Sequence, residues 1–468
     1  METLQRTANR GSISTGYDID NSLKLDGDNN ERMQRVSTDI GTPTNAKIAT
    51  LSFWAKRSAL KSDNAHFSFI ANAGANSTFI CFEQDKARVY TTGGNSLMSN
   101  ALFRDTSAWY HFVAAFDMTQ GTASNRVKIY INGVQITSFE TETYGTQNND
   151  IGLYDINMSH YFGWTGSQGW FGYIAEAHFI DGQQLAPTEF GESDEDSGIW
   201  KPKAYGGTYG NEGYYLDMSN ASNLGEDQSG NDNDFTALYN ITSANQATDT
   251  PTLNFCTLNR LMENTGSANY LTLTEGATKT VNSSASYKAR VASMGVTSGK
   301  WYWEMTSTQF TTVSTLGVNY PENWSSGSSF YGTMYVNDNG TGDVYNNSGR
   351  RGNFGSGWSG TTINIGFALD MDATPPTLTV YENGSSVGNL MAGCSINGAG
   401  NAYLPEKEVG YFPYISSYGN NTILANFGGF TTATISSAAS DENGYGTFEY
   451  APPSGYYALC TKNLAEFG

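Results

Sequence analysis

The sequence predicts an all-β protein of two antiparallel β-sandwich domains, and three observations carry that expectation. A hairpin pattern occurs twice, over residues 109–136 and 363–387. In each copy an apolar stretch ends at an Asp-Met pair, Asp117-Met118 or Asp370-Met371, and a second stretch ends at Asn132-Gly133 or Asn383-Gly384. Within the first copy Val127, Ile129 and Ile131 alternate with Lys128, Tyr130 and Asn132, the period of two that marks a half-buried antiparallel strand. Asn-Gly supplies the positive φ values a tight hairpin turn requires. Composition agrees, because 52 glycines and 13% aromatic residues suit many short strands joined by tight turns.

The chain divides into four stretches. Residues 1–21 are polar, with Arg6, Arg10 and several Ser and Thr, and are expected to form a docking tail. Residues 22–190 form the first sandwich. Ser22-Leu-Lys-Leu-Asp, Ala49-Thr-Leu-Ser-Phe-Trp-Ala-Lys, His66-Phe-Ser-Phe-Ile, Phe79-Ile-Cys-Phe-Glu and Ala87-Arg-Val-Tyr precede the first hairpin, each alternating as a strand does. Gly169-Trp-Phe-Gly-Tyr-Ile-Ala-Glu-Ala-His-Phe-Ile-Asp follows, and Leu185-Ala-Pro-Thr-Glu-Phe closes the domain. Residues 191–279 change character. The acidic run at Glu192-Ser-Asp-Glu-Asp-Ser and the turn-rich Lys201-Pro-Lys-Ala-Tyr-Gly-Gly predict a linker with short strands. Residues 280–468 form the second sandwich, from Gly299-Lys-Trp-Tyr-Trp-Glu-Met through the second hairpin to Gly410-Tyr-Phe-Pro-Tyr-Ile-Ser and Leu424-Ala-Asn-Phe-Gly.

The order Leu51-Ser-Phe-Trp, Trp109-Tyr-His-Phe-Val-Ala, Val127-Lys-Ile-Tyr-Ile-Asn-Gly, Trp170-Phe-Gly-Tyr-Ile-Ala-Glu and Leu185-Ala-Pro-Thr-Glu-Phe resembles the laminin-G/pentraxin-like branch of the concanavalin A-like jelly rolls. That resemblance implies a binding module for sugars or proteins, often with calcium. The second sandwich resembles SPRY domains through Gly299-Lys-Trp-Tyr-Trp-Glu, Gly366-Phe-Ala-Leu-Asp, Val380-Tyr-Glu-Asn-Gly, Phe412-Pro-Tyr-Ile-Ser, Asn426-Phe-Gly and the closing Pro453-Ser-Gly-Tyr. SPRY domains are concanavalin-like too, which would account for the repeated hairpin. They bind protein partners and bring no catalytic residues. The chain departs from their pattern between Gly384 and Tyr411, a long Gly- and Asn-rich stretch.

Catalytic signals are weak. Glycoside hydrolysis needs paired carboxylates about a sugar bond, and the nearest match, Glu192-Ser-Asp194-Glu-Asp196-Ser197, lacks the final acid of a Glu-x-Asp-x-x-Glu strand and reads as solvated linker. His66, His111, His160 and His178 form no metal or triad motif and read as structural. Cys81, Cys256, Cys394 and Cys460 are widely spaced and read as buried free thiols. No enzyme activity and no cofactor is expected. The one metal the turns could take is calcium, at Asp26, Asp28 and Asn30 or at Asp227, Asp232 and Asp234, since tight Asx-rich turns can supply several oxygen ligands. Exposed aromatics that could stack on a ligand are Trp164, Trp170, Trp324, Tyr331 and Trp358.

A net charge of −20, from 45 acids against 25 bases, disfavours phosphate backbones, so no nucleic-acid partner is expected. No stretch has transmembrane length and the N-terminus carries no apolar signal core, so no membrane insertion and synthesis in a cytoplasm are expected. The start, Thr7-Ala-Asn-Arg-Gly-Ser-Ile-Ser-Thr-Gly-Tyr-Asp-Ile-Asp-Asn-Ser-Leu, followed by the two sandwiches, resembles virion proteins of tailed marine bacteriophages. That resemblance implies a virion location, other virion proteins as partners and a tail fibre or adhesin that binds host-surface glycan or protein. A capsid decoration or head-fibre protein is the alternative, and a glycan depolymerase the third reading. A homo-oligomer, most simply a trimer, is expected by analogy with phage fibres.

Overall fold

The computed structural model describes residues 16–60, 65–73, 76–154, 158–164, 168–195, 197–261, 270–307, 314–319, 334–338, 343–346, 349–353, 362–390 and 410–468. Residues 14–253 form one compact unit and residues 254–468 lie in another. The first unit opens with β1 (Ser22–Asp26), β2 (Arg32–Arg35), β3 (Ile48–Arg57), β4 (Ala65–Ala73), β5 (Asn76–Glu83) and β6 (Lys86–Tyr90). It continues with β7 (Ser96–Leu102), β8 (Trp109–Asp117), β9 (Val127–Ile131), β10 (Val134–Gln135), β11 (Phe139–Thr143) and β12 (Ser159–Phe162). It closes with β13 (Phe171–Asp181), β14 (Gly191–Ser193), β15 (Trp200–Pro202), β16 (Tyr214–Leu216), β17 (Thr236–Leu238) and β18 (Gln246–Ala247).

These strands make two large sheets. The back sheet runs β10-β9-β8-β3-β13-β1-β18, with β16 also paired to β13, and the front sheet runs β11-β7-β6-β5-β4-β12-β2-β17. Alternation puts one face of each into a shared core. The back sheet contributes Leu51, Phe53, Phe112, Ile129 and Ile174, and the front sheet Phe69, Ile80, Phe82, Val89 and Phe162. Phe53 and Phe112 stack at 5.6 Å between centroids.

The stretch whose composition predicts a linker is largely part of this unit. Leu216 and Tyr214 pair with Ala177 and Phe179 of β13, β17 pairs with β2, and β18 pairs with β1. Its polar composition reflects a layer one chain thick, with one side on the sheet and the other in water. Its aromatics cover the outer side of the back sheet: Tyr205 and Tyr209 pack against Val113, Ile180 and Phe190. This is why every residue of β13 is buried. The acidic run sits at the turn of the β14–β15 hairpin. There Asp194 accepts hydrogen bonds from the Ser197 amide and hydroxyl, which with Lys201 hold its carboxyl down at about 2.

The second unit comprises β19 (Thr272–Thr274), β20 (Lys279–Asn282), β21 (Tyr287–Val291), β22 (Lys300–Ser307), β23 (Ser314–Asn319), β24 (Met334–Asp338) and β25 (Asp343–Asn346). It ends with β26 (Gly349–Asn353), β27 (Ile363–Asp370), β28 (Thr377–Glu382), β29 (Ser385–Asn389), β30 (Phe412–Tyr418), β31 (Asn421–Asn426), β32 (Tyr457–Ala458) and helix α1 (Thr461–Phe467). One sheet runs β19-β20-β31-β22-β27-β28-β29, with β32 beside β22, and the other runs β21-β30-β23-β24-β25-β26. Trp301, Trp303, Ile365 and Phe367 from the first meet Leu316, Val318 and Ile415 from the second in one core. Glu304 of β22 is fully buried. Its carboxylate accepts from the Glu449 and Tyr450 amides, the Tyr302 hydroxyl and the Asn426 side chain.

The repeated hairpin is present in both units. β8 pairs with β9, and β27 with β28, antiparallel. The turns Asn132-Gly133 and Asn383-Gly384 have φ of 50° and 77°, and 48° and 78°. In each, the Asn side-chain oxygen accepts the amide of a residue in the preceding strand, His111 or Asn364.

Two cations on the strands of the first sandwich are held by buried acids. Lys56 Nζ lies 2.6 Å from Asp249 Oδ2, both side chains 1% exposed, and Arg57 lies 2.8 Å from Asp85. Lys56→Met should lower the unfolding free energy of the first unit by about 3–5 kcal/mol, because it strands the buried carboxylate of Asp249. Urea unfolding of the variant, read by tryptophan fluorescence, checks this, and an unchanged midpoint would contradict it.

Candidate functional site

With residues 190–253 covering the back sheet, the outer side of the front sheet carries exposed and half-buried side chains such as Tyr90, Phe79, Tyr161 and Gln34, while Ile70 and Cys81 in its middle are buried against Phe79, Tyr161 and Trp164. The strand registers align eight of its residues into one transverse row. Thr143 pairs with Ser96, Ser96 with Tyr90, Tyr90 with Phe79 and Phe79 with Ile70. Ile70 pairs with Tyr161, Tyr161 with Gln34 and Gln34 with Thr236. Their sequence neighbours Val89, Ile80, Phe69, Phe162 and Met33 point into the core, so strand alternation turns the row outward. Seven inter-strand steps of roughly 4.8 Å make it about 34 Å long.

The row combines ring faces with amide and hydroxyl groups. Phe79 and Tyr90 stack at 5.1 Å and 18°, and Tyr90 is 38% exposed. Gln34 Nε2 donates to the Tyr161 hydroxyl at 3.1 Å. Trp164 meets Tyr161 edge-on at 4.9 Å. Glu83, next to this strip, is held by Arg88 at 3.4 Å. Beside Gln34 on the same face, Arg32 lies under three rings, 4.2 Å from the Tyr239 centroid, 5.8 Å from Trp164 and 5.9 Å from Tyr161. Its Nε and Nη1 are buried without a hydrogen-bond partner. Tyr239 is 52% exposed and has a φ of +58°, a backbone region that bulky side chains avoid.

Of the aromatics expected as ligand contacts, Trp164 belongs to this face. Trp170 does not. It is fully buried, with its ring 6.1 Å from Phe82, and this corrects the expectation of an exposed ring. The chain is pinned there because a side chain on Gly169 would collide with the backbone of Gly27. Trp324, Tyr331 and Trp358 lie outside the described residues. The face also holds Arg32, Gln34, Phe79, Tyr90 and Tyr239, which sequence reasoning missed as site residues. The signal for Phe79 and Tyr90 was present, since both sit out of phase with the core positions Ile80 and Val89.

The two turns proposed for calcium use their acids otherwise. Asp227 accepts from the amides of Tyr215, Ser229 and Asn233 and from the Ser229 hydroxyl, while Asp234 accepts the Asp227 amide. Asp232 is exposed with a φ of +59°. Asp26 accepts the Asp28 amide at 3.1 Å, and Asn30 takes the left-handed conformation that ends this 3-10 turn. Among the described residues no group of three or more His, Cys, Asp or Glu is placed to hold a metal ion. The carboxylates of Asp26, Asp227 and Asp234 thus accept backbone amides within their own turns.

All four histidines are buried. Trp200 Nε1 donates to His111 Nδ1 at 2.9 Å, which leaves the ring proton on Nε2 for Ser52 Oγ at 2.8 Å. His111 also lies between the rings of Trp54 and Trp200, at 4.7 and 5.9 Å. Cys81, Cys256 and Cys460 are buried free thiols, and Cys394 lies outside the described residues. No helix among the described residues is long and apolar enough to cross a membrane.

Comparison with known proteins finds a family match over part of the first unit. Residues 30–189 match the Laminin_G_3 model, described as the concanavalin A-like lectin/glucanases superfamily. No curated protein matches the chain. Among solved structures it is similar to a native heptameric SAP-like pentraxin from Limulus polyphemus, at 13% identity over 36% of this chain and 80% of that one, with a TM-score of 0.27. It is similar to domain 4 of AbnA, a GH43 extracellular arabinanase from Geobacillus stearothermophilus in complex with arabinotriose, at 18% identity over 36% and 73% of the two chains, TM-score 0.26. It is also similar to the SPRY domain of human HERC1, at 16% identity over 32% and 87%, TM-score 0.22.

Burial pushes the His111 imidazole down to about 3 and that of His160 to about 4, from an ordinary 6.5. Between those values the unfolded chain binds more protons than the folded one. The stability contributed by the neutral rings is therefore complete above about pH 6.5 and is lost as pH falls toward the folded values. The urea midpoint of the first unit should be lower at pH 5.5 than at pH 7.5, with a smaller drop in His160→Gln. Equal midpoints would show that the rings are not held neutral.

Proposed function

We propose that the protein is a non-catalytic glycan-binding protein whose binding face is the front sheet of the first sandwich. The observation that carries this is the transverse row from Tyr90 through Phe79 and Tyr161 to Gln34. Sugar rings present apolar C–H faces that stack on aromatic rings and a rim of hydroxyls that pair with amides and phenols. The row offers both in a line across the sheet, which suits an extended chain of sugars. The match of residues 30–189 to a lectin-containing superfamily supports the same reading.

The resemblance of the sequence to virion proteins of tailed marine phages adds a setting. On a particle surface, repeated copies would raise a weak single-site affinity through avidity. In that setting the protein serves as a tail fibre or adhesin module, as a homo-oligomer such as a trimer. Immunogold labelling of virions together with host-cell binding tests it. Label confined to the capsid shell, with no binding of purified protein to cells, would leave the decoration role instead.

Tyr90→Ala and Tyr161→Ala should each weaken binding of the purified protein to its best ligand on a glycan array by about 2- to 10-fold, the worth of one aromatic contact. Tyr90 is surface-exposed, so its variant should keep the wild-type melting temperature. Unaltered binding in both variants would remove the front face from consideration.

A further inference from the structure

We propose that Arg32 anchors a subsite for a carboxylate-bearing sugar, a uronate, with Tyr239 as its displaceable cover. This rests on the glycan reading of the front sheet and adds the chemical class of one ligand residue. The chain is acidic, with 45 acids against 25 bases, and its buried cations in this sandwich are matched by acids. Arg35 meets Glu212 at 2.7 Å, Arg57 meets Asp85 at 2.8 Å and Lys24 meets Glu31 at 3.1 Å. Arg32 differs in having no acid partner among the described residues: Nε of Arg57 and of Arg88 is also without a hydrogen-bond partner, but in Arg32 both Nε and Nη1 are. Glu31, the adjacent acid in sequence, is turned away to Lys24 and to the amide of Asp26.

Desolvated guanidinium donors without an acceptor are costly, and an ionised acceptor that reaches them gains a charge-assisted bond. The planar fork of a guanidinium matches the two oxygens of a carboxylate. The surroundings match the rest of a sugar. Trp164 and Tyr161 offer ring faces beside Arg32, and Gln34, two residues along the same strand face, offers an amide. The cover is built to leave. Tyr239 follows the edge strand β17, is 52% exposed and holds a φ of +58°, with Asn240 at +68°. Swinging Tyr239 off Arg32 exposes the orphaned donors and lets its backbone relax to an ordinary conformation.

The test uses the full chain and isothermal titration with tetragalacturonate and with its fully methyl-esterified, neutral counterpart. The acid should bind about tenfold tighter, the scale of one hydrogen bond to a charged group. Arg32→Gln should erase the preference, bringing the affinities for acid and ester together, and Tyr239→Gly should retain it. Equal affinity for the two ligands, or a preference that survives Arg32→Gln, overturns the subsite and leaves the glycan face standing. A second measurement does not depend on that face: the Arg32 Nε–Hε NMR resonance of the wild type, titrated with free galacturonic acid and with galactose. A shift with the acid alone is expected, and no shift overturns the proposal. If neither tetrasaccharide binds while galacturonic acid moves the resonance, the extended glycan face fails and the anion subsite stands.

Discussion

The first sandwich depends on keeping both sides of its back sheet dry. β3 and β13 run through the middle of that sheet, and one side of each meets the core. The other side would expose Val113, Ile180 and the ring of His178 to water. Residues 190–253 cover it with Phe190, Tyr205, Tyr209 and Tyr215, the last stacked on His178 at 4.4 Å. His111 locks this layer by linking Trp200 to Ser52. Polar groups caught beneath it are paired: Tyr17 and Tyr215 both donate to Glu176 at 2.7 Å, and Trp109 joins Lys56 in holding Asp249. Burial of this kind is stable only when every such group finds a partner.

That constraint also decides which sheet side residues 190–253 leave uncovered. A sandwich with one covered sheet presents the outer side of the other, and in this unit that side is the front sheet. Its cross-strand pairs are spaced by the pleat, so residues far apart in sequence, such as Gln34, Tyr90 and Tyr161, become neighbours in a line. A rigid row of this kind costs little ordering entropy on binding, because its side chains already lean on one another. Beside the row stands Arg32, a cation sheltered by rings, with no acid partner among the described residues and with the ring of Tyr239 4.2 Å away.

The repeated hairpin shows one solution used in two cores. In each copy a buried Met, Met118 or Met371, follows the Asp that ends the central strand, and that Asp accepts the amide two residues on. The Asn of the turn closes the other end by bonding back to the strand. The sheets around the hairpins share their order too: β10-β9-β8-β3-β13-β1 corresponds strand for strand to β29-β28-β27-β22-β31-β20, so each hairpin holds the same place in its unit.

The sequence by itself determined the all-β class, both hairpins and their turns, and which residues of most strands face a core. It could do so because alternation and Asn-Gly turns act over a few residues. The tertiary structure decided what alternation leaves open. Sheet order and register are set by pairing between distant strands, so the row from Tyr90 to Gln34 had no linear trace. The stretch 191–253 has linker composition, yet it is a covering layer, because a single layer needs apolar residues on one side alone. Trp164 and Trp170 stand in the same Gly-rich context and differ in fate, because the close approach of Gly27 to Gly169 draws Trp170 into the core while Trp164 rests on the surface against Tyr161 and Arg32.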